Sequence, residues 1–456
     1  MLHPRQLPSR LAAACLALAL CCAAASAQTG YGIVDLGTLP GGTLSHGFAV
    51  NNAGRAVGYS TIPAGQHAFT FAGGAMGDLL GAFHAANGGS SQAFGVNDAG
   101  QATGLVRVNI GGANPSFLPR GFFFDAGGVT LLGVLPGGLQ SQGNAVNAAG
   151  QVVGLSGSSA GNRAFLWANG AMQDLGVLGL STFNNSEATS VNDAGQVVGV
   201  SSTAAGANHA FLWQNGVMQD LGVLPGGGTI SSAADVNNAG QVVGFSNVPG
   251  PLFQSPRAFL WQGGTMLDLG TLGGSTSQAR SINDSGVVVG VSTTAANQTR
   301  PFVYRDGVMT DLTTLLPAGH CFTNVDVRAI GNDGVVVGSA QLNGQFRAVM
   351  LVPNSTAGGG QTCGGPPPPP PTPADIIARM RAAVANIEQG GVANSMDVKL
   401  RHVLNSLGDT GQPTACNHLA AFLNEVDAQS GKHLAAADAA DLRLGAAQLA
   451  GLVGCQ

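Results

Sequence analysis

The sequence predicts a mainly β fold: a seven-bladed β-propeller closed by its N-terminal strand and followed by a small all-α C-terminal domain. Three observations predict it. A turn motif recurs at intervals of 45–50 residues, the repeats are incomplete at the two ends of the repeat region, and a helical pattern begins after a proline run at residues 366–371.

The turn motif is Asn-Asn/Asp-Ala-Gly, followed in three of the seven copies by Gln-Val-Val-Gly. Its copies place their first glycines at Gly54, Gly100, Gly150, Gly195, Gly240, Gly286 and Gly334. Seven copies at this spacing suit propeller blades, which hold four short strands in about 40–50 residues. We expect strand b to follow each turn and an Asn-Gly type hairpin to join strands c and d.

Two apolar columns recur in the predicted strand c. The first is Phe69, Phe122, Phe165, Phe211, Phe259, Phe302 and Val349, and the second is Phe71, Phe124, Trp167, Trp213, Trp261, Tyr304 and Leu351. Residues two apart point to the same face of a strand. Recurrence in every copy favours packing between blades over the alternative, an aromatic platform for a ligand.

The ends of the repeat region predict ring closure. The segment 31–39 carries the Asp35-Leu36-Gly37 pattern of a strand d with no strands a to c before it. The last copy ends at 346–352 with a strand c and no strand d. We expect the N-terminal strand to complete the seventh blade, because closure removes exposed sheet edges.

Two family resemblances rest on these residues. The units His67-Ala68-Phe69 and His209-Ala210-Phe211, followed by Asp-Leu-Gly-x-Leu and Asn-x-x-Gly-x-Val-Val-Gly, resemble the HAF family of extracellular bacterial repeats over about residues 31–352. This resemblance implies export and a propeller-like fold, without an established activity. The stretch 416–426, with Ser430-Gly431-Lys432, is similar to the FIMAH-type helical domain over about 375–453, which implies an accessory or interaction module.

The remaining organisation follows from composition. Residues 1–27 predict a signal peptide, with Arg5 and Arg10 before an apolar run and Ala25-Ser26-Ala27 at the cleavage site. The propeller is assigned to 28–357, a Gly/Pro-rich polyproline linker to 358–373 and the helical domain to 374–456, with helices at 374–389, 392–407, 413–430 and 435–453. The mature protein is expected outside the cytoplasm, either secreted or periplasmic.

Four cysteines remain after the predicted cleavage: Cys321, Cys363, Cys416 and Cys455. An exported chain with an even number of cysteines is expected to form disulfides. The sequence allows three pairings, and pairing within each region is favoured. Cys416 and Cys455 would be neighbours in an antiparallel helical hairpin.

Charged residues form two columns. The basic column is His67, Arg120, Arg163, His209, Arg257, Arg300 and Arg347, and the acidic column is Asp35, Asp78, Asp174, Asp220, Asp268 and Asp311 with Leu131 in the second copy. The start of strand c lies across from the end of strand d, so we expect structural ion pairs, including Asp35 with Arg347. A cationic ring for an anionic polymer is the alternative, and Arg120, which lacks an acidic partner, is a candidate binding residue.

A polar column of varied chemistry marks the entry to strand a. It consists of His46, Gln92, Gln142, Glu187, Ser232, Gln278 and Asp326. Loops and rims on a rigid scaffold commonly carry binding residues, so this column is a candidate binding rim. A merely solvated rim would vary in the same way.

The sequence offers no assembled chemistry. The turns could suggest calcium, but each supplies one or two side-chain oxygens and the turns are expected to lie far apart. Turn formation explains their Asn, Asp and Gly, so neither a metal nor another cofactor is expected. His84, His320 and Glu187 are the remaining catalytic candidates, but their spacing does not match a catalytic triad or a metal site. We therefore expect that the protein is not an enzyme.

Low charge limits the partners. Only 9% of residues are charged, against about 25% usually, and without a basic patch nucleic acid is not expected. We expect a monomer without a membrane span. The predicted function is a secreted, non-enzymatic interaction or scaffold protein whose propeller face binds an extracellular protein or glycan. The alternative is a carbohydrate-binding or carbohydrate-cleaving propeller acting on polysaccharide.

Overall fold

The computed structural model describes residues 30–353 except 64, 110–116, 181–183, 227 and 250–253. Beyond residue 353 it describes 374, 377, 380–381, 384, 390–409, 412–430, 432, 434, 442–443, 446, 449–450 and 455. The predicted signal peptide and the predicted linker lie outside the described residues.

Seven four-stranded antiparallel sheets make up the propeller. Blade 1 is β2 (Ser45–Val50), β3 (Ala56–Ile62), β4 (Gly65–Ala72) and β5 (Ala75–Asp78); blade 2 is β6 (Ser91–Val96), β7 (Ala102–Asn109), β8 (Phe117–Asp125) and β9 (Gly128–Leu131). Blade 3 is β10 (Ser141–Val146), β11 (Val152–Ser158), β12 (Gly161–Ala168) and β13 (Ala171–Asp174); blade 4 is β14 (Ser186–Val191), β15 (Val197–Ser202), β16 (Asn208–Gln214) and β17 (Val217–Gly222). Blade 5 is β18 (Ser231–Val236), β19 (Val242–Pro249), β20 (Gln254–Gln262) and β21 (Thr265–Asp268); blade 6 is β22 (Gly273–Ile282), β23 (Val288–Thr294), β24 (Thr299–Arg305) and β25 (Val308–Asp311).

The N-terminal strand completes the seventh blade, as predicted. Blade 7 joins β26 (Phe322–Ile330), β27 (Val336–Leu342) and β28 (Gln345–Pro353) with β1 (Tyr31–Asp35), which pairs antiparallel with β28. Its register places Tyr31 opposite Pro353. Asp35 Oδ2 lies 3.9 Å from Arg347 Nε, so the predicted contact between the two ends of the repeat region is present.

Turn chemistry explains why these strands form. In the hairpin between β16 and β17, Asn215 and Gly216 both have positive φ, at 51° and 86°. This geometry matches the right-handed twist of a two-residue hairpin. Gly195, in the turn between β14 and β15, has φ 74°, a conformation that glycine adopts without steric cost.

The two strand-c columns form the core between neighbouring blades. The six phenylalanines of the first column are fully buried, and Trp167, Trp213 and Trp261 are at most 9% exposed. Phe211 of blade 4 packs in one cluster with Val153 and Ala164 of blade 3. The interpretation of these columns as core is therefore confirmed.

A column of buried serines links adjacent blades. Each hydroxyl, at the start of strand a, accepts the backbone N–H of strand c in the preceding blade; the pairs are Ser45 with Ala348, Ser91 with Ala68, Ser141 with Gly121, Ser186 with Ala164, Ser231 with Ala210 and Ser277 with Ala258. Between blades 6 and 7, Pro301 occupies the donor position and has no N–H. Val325 stands at the acceptor position there, so both partners are replaced together.

Short helices and the tail complete the fold. Helix α1 (Gly81–Asn87) links blades 1 and 2, and a 3-10 helix (Leu312–Leu315) follows β25. In the tail, α2 (Gly390–Asp409) and α3 (Gln412–Gln429) are helical. Helix α2 begins at Gly390, and Gly391 and Gly408, predicted as breaks, lie inside it, because tail packing outweighs the glycine propensity penalty of about 1 kcal/mol.

The tail has its own apolar core and a disulfide. Phe422 of α3 packs with Leu400 of α2 and with Leu449, all at most 2% exposed. Cys416 and Cys455 form the predicted disulfide, with Cα atoms 5.4 Å apart. Cys321 is also disulfide-bonded, while Cys363, its predicted partner, lies outside the described residues.

None of the described helices is both long and apolar enough to cross a bilayer.

Candidate functional site

The first strands of the seven blades contact one another around a central channel. One end of this channel carries the Asn-Asp-Ala-Gly turns, and we call it the turn end. The other end receives the loops between strands b and c and the links between blades, and we call it the loop end. These two ends contain the polar side chains that sequence analysis singled out.

At the turn end, six buried asparagines form a ladder around the axis. Each side-chain Nδ2 donates to the backbone carbonyl of the next turn: Asn51 to Asn97 at 2.9 Å, Asn97 to Asn147 at 2.8 Å, Asn147 to Asn192 at 3.1 Å, Asn192 to Asn237 at 3.0 Å, Asn237 to Asn283 at 3.0 Å and Asn283 to Gly331 at 3.2 Å. The turns surround a cavity of about 200 Å³ lined by all seven blades. The expectation that the turns lie far apart is therefore wrong, because the ring brings its innermost turns together.

The next residue of six of the seven turns makes a second ring, and the seventh, Ala148, has no side-chain oxygen. The carboxylate or amide oxygen of each of the six accepts a backbone N–H from the preceding blade: Asp98 from Asn52, Asp193 from Ala148, Asn238 from Asp193, Asp284 from Asn238, Asn332 from Asp284 and Asn52 from Asn332. The last of these bonds joins blade 7 to blade 1. The oxygens that a calcium ion would need are thus engaged in holding the blades together.

The seventh turn departs from the pattern and explains an unusual carboxyl group. Gly331 stands where the other copies have asparagine, and Asp333 Oδ1 accepts the backbone N–H of Val335 at 3.0 Å. Burial raises the pKa of Asp333 from 3.8 to about 6, outweighing this hydrogen bond. The folded chain therefore binds a proton on Asp333 at a higher pH than the unfolded chain does.

This difference gives a pH-dependent stability. Between pH 4 and 6 the folded state binds more protons at Asp333, so the free energy of unfolding should fall as the pH rises through this window. We expect Asp333→Asn to remove that fall and to raise the free energy of unfolding at pH 7 by about 1–3 kcal/mol. Urea titrations from pH 4 to 8 measure both effects. Asp306→Asn, in an exposed hairpin turn, is the control, and an equal response of the two variants would contradict the assignment.

At the loop end, the predicted rim is half-buried and makes contacts across blades. His46 Nδ1 lies 2.8 Å from Ser339 Oγ of blade 7, and Gln92 Nε2 donates to Gln66 Oε1 of blade 1 at 3.2 Å. The rim is therefore neither an open ring of free side chains nor part of the apolar core.

The rim residues of the remaining blades behave similarly. Glu187 Oε1 accepts from Asn144 Nδ2 at 3.0 Å, and Gln142 Nε2 donates to Asn144 Oδ1 at 2.7 Å. Asp326 pairs with Arg280 and with Arg328. Gln278 and Ser232 occupy the equivalent positions of blades 6 and 5, also half-buried.

Two residues further along strand a lies a second ring, which we call the inner column. It consists of Phe48, Phe94, Asn144, Thr189, Ala234, Arg280 and Arg328. Phe48 and Phe94 have ring centroids 5.4 Å apart, and the Arg328 guanidinium lies 5.9 Å from the Phe48 ring centre. Blades 6, 7, 1 and 2 thus carry a cationic and aromatic sector, and the opposite blades carry small or amide side chains.

Electrostatics distinguish this sector. Burial, followed by the positive charge of Arg328, lowers the pKa of His46. Burial raises the pKa of Tyr59, which stacks on His46 with centroids 5.2 Å apart. His46 therefore favours its neutral form, and Arg328 and Arg280, opposed by Asp326, supply the positive charge.

The charged columns mostly pair as predicted. The observed pairs are His67–Asp78 at 2.6 Å, Arg163–Asp174 at 3.8 Å, His209–Asp220 at 2.9 Å, Arg257–Asp268 at 3.1 Å and Arg347–Asp35 at 3.9 Å. Such partly exposed pairs contribute about 0–1 kcal/mol each.

The exceptions have local causes. In blade 6 the predicted Arg300–Asp311 pair is absent, because Asp311 Oδ1 accepts from both the backbone and the hydroxyl of Thr313, and Arg300 donates to Gln298 Oε1. Arg120, predicted to be a spare cation, donates to the carbonyl of Leu139 in the link to blade 3. It therefore ties two blades together, as Arg163 does through the carbonyl of Asn184.

The leftover catalytic candidates are not brought together. Glu187 lies in blade 4, His84 in α1 and His320 in the link before β26. Sequence analysis missed the inner column, although its members recur two positions after the rim in every copy. It also missed Asp235, half-buried beside the channel, which accepts hydrogen bonds from Ser190 and Ser281 of the two neighbouring blades.

Comparison with known proteins finds similarity in fold. No family model and no curated protein matches the chain. TolB from Acinetobacter baumannii is 14% identical with a TM-score of 0.34, over 57% of this chain and 64% of that chain, less than two thirds of it. The β-propeller domain of the Trilobed protease from Pyrococcus furiosus is 8% identical (TM-score 0.38; 56% and 81%), and the Pyrococcus horikoshii acylaminoacyl peptidase 9% identical (TM-score 0.37; 66% and 51%).

The expectation that the protein is not an enzyme is contradicted by this comparison, since two of these three structures are described as a protease and a peptidase. At such identities the likeness concerns the fold alone, and no catalytic residue is carried over.

Proposed function

We propose that the protein is an exported bacterial binding protein that holds an acidic extracellular ligand at the loop end of its channel. Its repeats belong to the HAF type, and its tail, of the FIMAH type, is a second contact module. The signal-like N-terminal sequence and the disulfide between Cys416 and Cys455 support export, because disulfides persist in oxidising compartments.

One observation carries the proposal. The side chain of Arg328 is 44% exposed, although it lies against Phe48 and contacts Asp326 at 3.1 Å. A guanidinium held by an aromatic face and one carboxylate retains donors for a second carboxylate or sulfate group. The adjacent rings of Phe48 and Phe94 supply an apolar surface beside that charge.

Binding measurements test the proposal. The full chain is applied to arrays of acidic and neutral extracellular glycans and peptides, and the best ligand is titrated by calorimetry. We expect an acidic ligand, and we expect Arg328→Gln to weaken it about tenfold or more, because a charge-assisted hydrogen bond is lost. Arg55→Gln, at the turn end, is the matched control and should leave affinity unchanged.

Two outcomes would contradict this function. Equal affinity of the Arg328 and Arg55 variants would show that the ligand does not bind at the loop end. A preference for neutral ligands would remove the role of the guanidinium.

A carbohydrate ligand is the second candidate. The paired rings of Phe48 and Phe94 offer a face on which a sugar ring can pack, with Glu187 and Asp326 as acceptors elsewhere on the rim. Saturable binding to glycans, without binding to the peptides on the same arrays, would favour this candidate. Release of reducing ends from a bound polysaccharide would identify cleavage.

A further inference from the structure

Blade 1 holds a second cluster of polar side chains, made by the strand c–strand d hairpin and α1. His67 lies in β4, Asp78 ends β5 and His84 lies in α1. One potential ligand atom from each residue lies within 4.8 Å of the other two. The two imidazole rings are stacked, with centroids 3.8 Å apart and an interplanar angle of 18°, and His84 is only 7% exposed.

The hydrogen bonds fix where the lone pairs lie. His84 Nδ1 is 3.1 Å from the carbonyl oxygen of Gly88, and because a carbonyl only accepts, Nδ1 carries the hydrogen. His84 Nε2 then presents a lone pair, opposed by the hydroxyl of Ser91 at 2.8 Å. His67 Nδ1 lies 2.6 Å from Asp78 Oδ2, so the neutral tautomer of His67 that carries its hydrogen on Nε2 presents the Nδ1 lone pair beside that carboxylate.

The hydrogen bonds of His84 match those found around metal-binding histidines. Histidines that bind metals usually donate their other ring N–H to a carbonyl or a carboxylate, which orients the ring and raises its basicity. His84 does so through the carbonyl of Gly88. Its Nε2 is therefore oriented as a ligand, although this nitrogen now accepts the hydroxyl hydrogen of Ser91.

The other blades show that the repeat does not require this cluster. In blades 3 to 6 and in blade 1 the equivalent serine hydroxyl donates to a glycine carbonyl; the pairs are Ser141 with Gly133, Ser186 with Gly176, Ser231 with Gly222, Ser277 with Gly270 and Ser45 with Gly37. In blade 2 the hydroxyl of Ser91 contacts Nε2 of His84 instead of a glycine carbonyl. Blade 4 has the same histidine–aspartate pair, His209 with Asp220, but no third ligand among the described residues.

We propose that His67, Asp78 and His84 form a binding site for a divalent first-row transition metal ion such as Zn²⁺. Two imidazoles and one carboxylate are a common donor set for zinc, with the fourth position left to water. Ligands at about 2.0–2.2 Å in a tetrahedron are roughly 3.3–3.6 Å apart. The three donor atoms lie within 4.8 Å of one another, so they must approach by about 1.5 Å at most to bind one ion. The bound ion ties α1 to the hairpin of β4 and β5.

A metal titration tests the site. The full chain, purified without a histidine tag and stripped with a chelator, is titrated with Zn²⁺ in competition with a chromophoric chelator. We expect one ion per chain at this site, and we expect His67→Gln and His84→Gln to weaken binding about 10–100-fold or to abolish it. His209→Gln is the matched control and should bind as the unaltered chain does.

Spectroscopy separates ligation from a loss of folding. Co²⁺ should give visible absorption bands typical of nitrogen and oxygen ligands, weakened in Asp78→Asn and absent in His84→Gln, while both variants keep the far-ultraviolet dichroism of the β-sheets. Unchanged zinc affinity in both histidine variants overturns the proposal. So does loss of binding in His402→Gln, which would assign the ion to the pair His402 and His418 in the tail, whose rings are 5.4 Å apart.

Discussion

Replacement of Ile33 by aspartate should open the ring. Ile33 is 2% exposed in the closing strand β1, opposite Leu351, and it packs with Val289 and Val303 of blade 6. A carboxylate there would have no positive partner and would lose its hydration, which places the substitution among the most destabilising classes. We expect the free energy of unfolding to fall by about 4–5 kcal/mol, measured by urea denaturation.

The fluorescence of the chain makes this measurement specific. Its three tryptophans, Trp167, Trp213 and Trp261, all lie in the propeller, so emission does not report on the helical tail. Val308→Asp, on an outer strand and 61% exposed, is the control and should change stability by less than about 0.5 kcal/mol. Similar losses in the two variants would mean that closure by β1 does not hold the ring.

Truncation of Phe211 to alanine should have the second largest effect. The ring is fully buried between blades 3 and 4, where it contacts the side chains of the cluster that contains Trp213. Removal of a buried phenylalanine ring leaves a cavity and typically costs about 3–5 kcal/mol. The urea midpoint followed by tryptophan emission measures the loss.

The matched control lies in the same blade. Val217→Ala removes apolar atoms from a side chain that is 67% exposed, so only a small change is expected. If Phe211→Ala lowers the free energy of unfolding by less than about 1 kcal/mol, the strand-c column does not contribute to stability as a tightly packed core would.

Most of the fold could be predicted because the repeat makes each local pattern visible seven times. Period-two columns identified strand c, and the Asn-Gly and Ala-Gly turns located its neighbours. Closure followed from the incomplete ends. A single copy such as 186–222 carries a complete set of these signals, and the structure forms its four strands there.

The site was less predictable, because a ring brings together residues that are distant in sequence. The inner column connects Arg328 with Phe48, which lie in blades 7 and 1 and meet only after closure. Helix α1 has seven residues, too few for a helical period to be recognised. His84 therefore could not be placed beside His67, and the absence of a spacing motif between them was uninformative.

Competition between local bonds limited the charge prediction. Two facing columns of opposite charge predict ion pairs, but they do not show which carboxylate oxygens already accept other hydrogen bonds. In most copies the acidic residue accepts one hydrogen bond from the backbone N–H of the residue two positions later, as Asp220 does from Gly222. At Asp311 a threonine supplies two donors, and the arginine turns to Gln298 instead.

The register of the closing strand also determines how the ring responds to tension. Tyr31 lies opposite Pro353, so the chain enters and leaves blade 7 at the same end of the β1–β28 pair. A pull between the N-terminal side and the tail would peel this pair apart from that end, breaking its hydrogen bonds in succession rather than all at once. A ring held together by a buried core can therefore yield to a modest mechanical load, and its opening would begin at Tyr31.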